Sequence, residues 1–122
     1  MIHIFMASLK KIAAVFYQTG TGKSPVREWL LDLDKADRLT IGKDIQKVEF
    51  GWPIGLPYSR PLGLGLHEVR SDISDGRIAR VVFSIQGNRM VLLHGFVKKT
   101  QKTPKHDLDL ALKRKKDIER HG

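Results

Sequence analysis

Three strand-like runs separated by two tight turns occupy residues 66–97 and constrain the fold more than any other feature of the chain. A Ser-Asp-Gly turn at residues 74–76 separates the first two runs, and a Gly-Asn turn at residues 87–88 separates the second from the third. Turns of this length and composition join neighbouring antiparallel strands. The sequence therefore predicts a three-stranded antiparallel meander.

Alternation along these strands predicts one apolar face and one charged face. The apolar positions, expected to cover the core, are Val69, Ile73, Ala79, Val81, Phe83 and Ile85. If Gly76 takes the left-handed position of a three-residue loop, Arg70 lies directly opposite Arg80 on the other face, which also carries Glu68. Like charges in that arrangement disfavour a sheet, whereas guanidinium groups bind phosphate through paired hydrogen bonds. The pair indicates an anion site, and two arginines splayed into solvent are the alternative.

The rest of the chain predicts helices around this meander. Residues 11–19 carry apolar side chains on both faces of a predicted strand, as expected for a strand covered on both sides. Apolar residues then recur at helical spacing over residues 24–33 and 35–50, which predicts two helices. Residues 51–65 are interpreted as a packed surface loop, and Pro104 opens a last helix. This order predicts an α+β fold with helices packed on one face of a small antiparallel sheet.

Length and composition indicate one small globular domain. The 122 residues form a single domain, with residues 1–10 expected to be a flexible N-terminal extension because Met6 offers a second start. The chain has no cysteine, which excludes disulfides and thiol catalysis, and its five histidines lack helical pairing for a metal. No apolar run has membrane-spanning or signal-peptide length, so a cytoplasmic location is expected.

Charge indicates the class of partner. The formal net charge is +9 and the pI is near 10.0, with lysine and arginine distributed along the whole chain. A small domain of this charge is expected to bind a polyanion, nucleic acid above all. Greater solubility is the alternative explanation.

Several motifs resemble those of a known toxin family. They are residues 60–63 (Arg-Pro-Leu-Gly), 68–70 (Glu-Val-Arg), 76–81 (Gly-Arg-Ile-Ala-Arg-Val) and 92–104 (Leu-Leu-His-Gly-Phe-Val-Lys-Lys-Thr-Gln-Lys-Thr-Pro), with Ala111, Arg114 and Lys115 downstream. Together they are similar to the phage Gp49-like branch of the RelE/HigB toxin superfamily, over about residues 14–118. The resemblance implies a RelE-like fold, with a small antiparallel sheet, an N-terminal helical hairpin and a C-terminal helix.

The resemblance also implies a function. Members of this superfamily are toxins of type II toxin-antitoxin systems that cleave mRNA, usually on the ribosome, without metal or other cofactor. Each is silenced by a cognate antitoxin, which in HigB-like systems is typically a helix-turn-helix protein that also brings the pair to operator DNA. The 2′-hydroxyl attacks the neighbouring phosphorus and the 5′-oxygen of the next nucleotide leaves.

Individual residues take roles by this resemblance. Arg70 and Arg80 are expected to clamp the phosphate, and Lys98 to offset charge in the transition state. The residues expected to contact the RNA are Arg60, Lys99, Lys102 and Lys105.

His94 is a candidate for proton transfer because its ordinary pKa is near 6.5. A two-residue turn at residues 87–88 would place it opposite Val81 on the core face, whereas a three-residue loop would place it opposite Val82 near the arginines. A buried structural histidine is the alternative. Many superfamily members carry an aromatic hydroxyl near the C-terminus; here the tyrosines are Tyr17 and Tyr58, so the general acid and base stay unassigned.

Two other functions remain open at the level of sequence. The related ParE branch poisons DNA gyrase through protein contacts without catalysis. An inactive nucleic-acid-binding regulator is the third reading. The basic run at residues 98–102 and the Arg70/Arg80 pair favour the ribonuclease.

Overall fold

The computed structural model describes residues 9–98 and 103–121, which form a five-stranded sheet with helices on both faces. The strands are β1 (Ala13–Phe16), β2 (Ser59–Gly63), β3 (Leu66–Asp72), β4 (Ile78–Gln86) and β5 (Arg89–Lys98). The helices are α1 (Pro25–Leu31), α2 (Lys35–Gly51) and α3 (Lys105–His121). The predicted α+β class, the helical hairpin and the C-terminal helix are confirmed.

The sheet order is β1-β5-β4-β3-β2, and its centre is the predicted antiparallel meander. β1 is shorter than the predicted strand over residues 11–19, and it pairs with β5 in the parallel direction. β2 was missed: the stretch interpreted as a loop contains an edge strand antiparallel to β3. Pro61 lies in β2, as proline does when a strand has a free edge.

Two apolar layers cover the two faces of the sheet. On one face, α1 and α2 bury residues such as Val26, Ile41 and Val48 against the predicted apolar positions of β3 and β4. On the other face, α3 packs Ala111 against a second cluster that includes Val82. The expectation that all helices share one face is wrong, because β4 and β5 are apolar on both sides and each side needs cover.

The N-terminal helices are fixed to the meander by the turn between β3 and β4. Asp37 of α2 is buried, and its Oδ1 accepts the backbone N–H of Ser74 at 3.0 Å. Its Oδ2 accepts a hydrogen bond from Arg77 at 2.7 Å. These hydrogen bonds stabilise the carboxylate and lower its pKa, the bond from the Ser74 backbone most of all.

No helix within residues 9–98 and 103–121 combines the length and apolar character needed to cross a bilayer.

Candidate nucleic-acid interface

Arg70 and Arg80 lie opposite each other in the β3–β4 pair, as the sequence predicted. The turn follows the predicted geometry: Gly76 has a φ of +69°, and the N–H of Ile73 donates to the carbonyl of Arg77 at 3.0 Å. Glu68 shares their face, two residues before Arg70 on the same strand. The register therefore places two guanidinium groups and one carboxylate on the face of the sheet that α3 partly covers.

Glu68 is the centre of a buried hydrogen-bond network. Its Oε1 accepts from Nε of Arg60 at 2.8 Å and from Nη1 of Arg80 at 3.4 Å. Its Oε2 accepts the hydroxyl of Thr103 at 2.7 Å, and that hydroxyl accepts from Nη1 of Arg80 at 3.2 Å. The Glu68 residue is only 1% exposed, and these hydrogen bonds offset the free-energy cost of burying its charged carboxylate.

The two opposed arginines differ in exposure. Arg80 is 1% exposed, whereas the side chain of Arg70 is 39% exposed, with Nη2 3.9 Å from Oδ1 of Asp72. Burial lowers the pKa of the Arg80 guanidinium, and the Glu68 carboxylate opposes that shift. The two arginines that the sequence assigned to phosphate clamping therefore differ in accessibility, because the Glu68 network holds Arg80 inside the protein. Arg70 is the more accessible arginine of the pair.

Two adjoining grooves meet at Arg70. The first, the arginine groove, has a volume of about 170 Å³ and is lined by Leu56, Pro57, Ser59, Arg60, Glu68, Arg70 and Arg80. The second, the tyrosine groove, has a volume of about 310 Å³ and is lined by Thr40, Asp44, Lys47, Pro57, Tyr58, Arg70 and Asp72. Pro57 and Arg70 line both grooves. The predicted residues Arg60 and Arg70 are thus brought together in one concave surface.

Sequence reasoning missed Tyr58 and Lys47 as members of this surface. Tyr58 is 38% exposed, and the ammonium of Lys47 lies 5.7 Å from the centre of its ring. Leu56, also in the arginine groove, is 74% exposed. An accessible aromatic ring and an exposed apolar side chain beside cations are the groups that hold unstacked bases.

His94 lies opposite Val82, the position expected for a three-residue loop between β4 and β5. A β-bulge, and not the length of the loop, places it there. The turn has two residues, since Gln86 pairs with Arg89, and a β-bulge at Leu93 shifts the register further along. The carbonyl of Leu93 accepts a hydrogen bond from Arg114 of α3 at 2.7 Å. The bulge therefore moves the histidine to the charged side of the sheet.

His94 nevertheless does not line either groove. Its Nε2 lies 2.7 Å from Oδ1 of Asp107 in α3, its ring stacks on Phe96, and its side chain is 13% exposed. Burial lowers the pKa of His94, although the hydrogen bond to Asp107 works in the opposite direction. This position favours the alternative reading, a structural histidine that ties α3 to β5.

Of the lysines predicted to contact the RNA or the transition state, Lys98 and Lys105 line neither groove, and the other two lie outside the described residues. Lys98 is exposed at the end of β5, opposite Ile78. Lys105 is exposed on α3, where an ion pair of 2.7 Å with Asp109 raises its pKa. Lys99 and Lys102 lie outside the described residues, as do residues 1–8 of the predicted extension.

The arrangement suits charge stabilisation by side chains. Within the described part of the chain, no group of three or more histidine, aspartate or glutamate side chains is placed to hold a metal ion together. Arg60 and Arg70 can neutralise a phosphodiester, and the exposed ring of Tyr58 lies within the adjoining groove.

A family model described as "Phage derived protein Gp49-like (DUF891)" matches residues 28–116 of the chain. The chain belongs to the Gp49-like family. This family is associated with toxin-antitoxin systems. The match includes α2, the meander and most of α3, so both grooves of the Gp49-like chain lie within it. Among curated proteins, none matches the chain.

Proposed function

We propose that this Gp49-like protein is the toxin of a type II toxin-antitoxin system, a cytoplasmic endoribonuclease of the RelE/HigB kind that cuts mRNA on the ribosome. Its activity would be held in check by a cognate antitoxin, a helix-turn-helix protein that also carries the pair to operator DNA. The observation that carries the proposal is the meeting of the arginine and tyrosine grooves at the exposed side chain of Arg70.

Arg70 and Arg60 hold the scissile phosphate in this proposal. The 2′-oxygen forms a bond to phosphorus, the bond from phosphorus to the 5′-oxygen breaks, and a 2′,3′-cyclic phosphate results. Negative charge on the non-bridging oxygens rises along this path, and nearby guanidinium groups offset it best where water is partly excluded. Arg80 supports the site from below, because it holds Glu68, which in turn orients Arg60.

Proton transfer requires a donor for the leaving oxygen, and Tyr58 is the candidate that the geometry favours. Tyr58 lines the groove that shares Arg70, whereas His94 is hydrogen-bonded to Asp107. The phenol donates its proton to the 5′-oxygen, the 2′-hydroxyl proton passes to solvent water, and water restores the phenol. A positioned acid contributes about 10²–10⁴-fold to such reactions.

Brief induction followed by primer extension on cellular transcripts tests the proposal. We expect new 5′ ends with the wild type and their loss with Arg70→Ala, while Arg27→Ala, which removes an exposed arginine of α1, cuts as the wild type does. Intact transcripts together with a DNA supercoiling defect would instead support a ParE-like gyrase inhibitor. Intact transcripts with normal supercoiling would support a binding protein without catalysis.

The proposed role of Tyr58 has its own test. Tyr58→Phe removes the hydroxyl and keeps the ring, so it is expected to reduce cleavage of a short RNA about 10²-fold with little change in binding. Full cleavage by Tyr58→Phe, with loss in Tyr58→Ala, would mean that the ring alone contributes and would overturn the proton-donor role.

A further inference from the structure

A third groove lies at the opposite edge of the sheet from β2, between the end of β1 and α3. Its volume is about 630 Å³, larger than the arginine and tyrosine grooves. Its walls include Tyr17, Leu110, Leu112, Lys113, Lys116 and Arg120. We call it the helix groove. The helix groove flanks β1, whereas the arginine groove is lined by residues of β2, β3 and β4 and of the segment before β2.

Three cations of α3 form a stripe along this groove. Lys113, Lys116 and Arg120 follow one another at spacings of three and four residues, which places them on one side of a helix. The stripe covers about 10 Å of helix at a rise of about 1.5 Å per residue. None of the three makes a salt bridge with any residue of the described part of the chain.

The acids of the groove are already engaged. Oδ2 of Asp117 accepts the hydroxyl of Tyr17 at 2.7 Å, and its Oδ1 lies 3.1 Å from Nδ1 of His121. Asp109 forms its ion pair with Lys105. The groove consequently presents a net positive surface to a ligand.

The base of the groove is fixed and partly apolar. Arg114 lies 5.7 Å from the centre of the Tyr17 ring while it donates to the carbonyl of Leu93. Tyr17 is 8% exposed, so its ring contributes a rigid wall. Leu110 and Leu112 also line the groove, and both are half-buried.

We infer that the helix groove docks an acidic, leucine-containing segment of a protein partner. Carboxylates of the segment would pair with Lys113, Lys116 and Arg120, and its apolar side chains would cover the leucines and the Tyr17 ring. A nucleic-acid backbone would use the cations and leave the apolar surface exposed, which is why a peptide fits better. This inference does not depend on RNA cleavage, because the helix groove shares no lining residue with the arginine and tyrosine grooves. In a toxin-antitoxin family, it identifies a surface where an antitoxin can bind without filling the arginine groove.

Fluorescence anisotropy with synthetic probes tests the inference on the full-length protein. The probes are a labelled peptide of glutamate and leucine, about twelve residues long to span the stripe, a lysine-leucine peptide of equal length, and a uridine oligonucleotide. The triple variant Lys113→Glu/Lys116→Glu/Arg120→Glu reverses the stripe. The matched control Arg27→Glu/Lys35→Glu/Lys43→Glu makes the same change in net charge at exposed positions of α1 and α2.

We expect the acidic peptide to bind the wild type and the control variant, with about tenfold or greater loss in the stripe variant. The lysine-leucine peptide is expected not to bind. Equal loss in both variants would show general charge attraction and overturn the inference. It would also be overturned if the stripe variant lost the oligonucleotide while the acidic peptide failed to bind the wild type. Circular dichroism confirms that each variant is folded before binding is compared. RNA cleavage by the stripe variant separates this test from that of the proposed function, because cleavage is expected to continue.

Discussion

Arg70 and Arg80 are equivalent in the strand pattern but not in the protein. Both follow from alternation and from the turn at Gly76, and the sequence alone predicts that they face each other. Burial of Arg80 depends on Thr103, which is 23 residues away in sequence. Contacts of that range are not encoded in local periodicity, so the sequence predicted the register and not the difference in exposure.

Arg70→Ala and Arg80→Ala are therefore expected to separate function from stability. Arg80→Ala leaves Glu68 buried without one of its cations and is expected to cost about 3–5 kcal/mol of unfolding free energy. Arg70→Ala removes an exposed side chain and is expected to change that free energy by no more than about 0.5 kcal/mol. Urea denaturation measures both. An equal cost for the two variants would contradict the assigned burial.

The lowered pKa values of two histidines predict how the stability of the fold changes with pH. Burial lowers the pKa of His67 and of His94 below the ordinary value of 6.5, so near that pH the unfolded state binds more protons than the folded state. Their contribution to stability is present above pH 6.5 and is lost as the pH falls below it. We expect the melting temperature to decrease on acidification through this range, and His67→Gln and His94→Gln each to reduce the decrease. A decrease that is the same in the wild type and in both variants would contradict these two pKa shifts.

At the scale of elements, the glycine of the Leu-Leu-His-Gly-Phe motif has a packing role. A methyl group on Gly95 would lie 2.3 Å from Cε3 of Trp29, because the indole of α1 rests on the bare backbone of β5. The absence of a side chain at Gly95 therefore allows α1 to pack closely against β5. Trp29 also packs against the main core cluster.

Gly95→Ala is expected to destabilise the protein by about 1–3 kcal/mol through this overlap. The loss should be smaller in a Trp29→Leu background, and a double-mutant cycle by thermal denaturation measures the coupling. Gly42→Ala is the matched control: nothing lies near a methyl group there, and alanine favours a helix interior by up to about 1 kcal/mol. Additive effects at Gly95 and Trp29 would contradict the docking.

The bulge at Leu93 shows where local patterns stop being sufficient. Of the two turn lengths that the sequence left open, the Gly-Asn dipeptide forms the two-residue turn, and regular pairing from that turn would place His94 on the core face. The bulge reverses this outcome, and its free carbonyl is satisfied by Arg114 from a helix distant in sequence. Arg114 and Ala111 were noted only as matching residues; one supports the bulge and the other packs in the second core cluster.

At the scale of the whole molecule, the sequence predicted the α+β fold class and the antiparallel meander. It did not predict the pairing of the two edge strands or the placement of helices on both faces of the sheet. β1 joins the sheet in parallel beside β5, a choice made by packing of distant segments. β2 is rich in glycine and proline, so its strand propensity is low and its pairing with β3 was hidden. Tyr58 was therefore read as part of a loop, and its position beside Arg70 became visible only with the fold.

The distribution of charge over the molecule predicts a salt-dependent interaction with RNA. We expect the logarithm of the association constant for a single-stranded RNA to fall linearly with the logarithm of salt concentration. Arg70→Gln and Lys47→Gln should each reduce the slope by about 0.7, whereas Arg27→Gln on α1 should not. Titrations at several salt concentrations measure the slope, and a value unchanged by Arg70→Gln would remove the arginine groove from the interface.

The unequal burial of Arg70 and Arg80 also determines which substitution is better suited to give an inactive but folded variant. If the proposed toxin activity holds, the protein must be inactivated before it can be produced in quantity or trapped with uncut substrate. Removal of a buried guanidinium would destabilise the fold as well as remove the activity. Truncation at Arg70 leaves the Glu68 network whole, so that variant should be the better bait for co-crystals with intact message or with a neutralising protein.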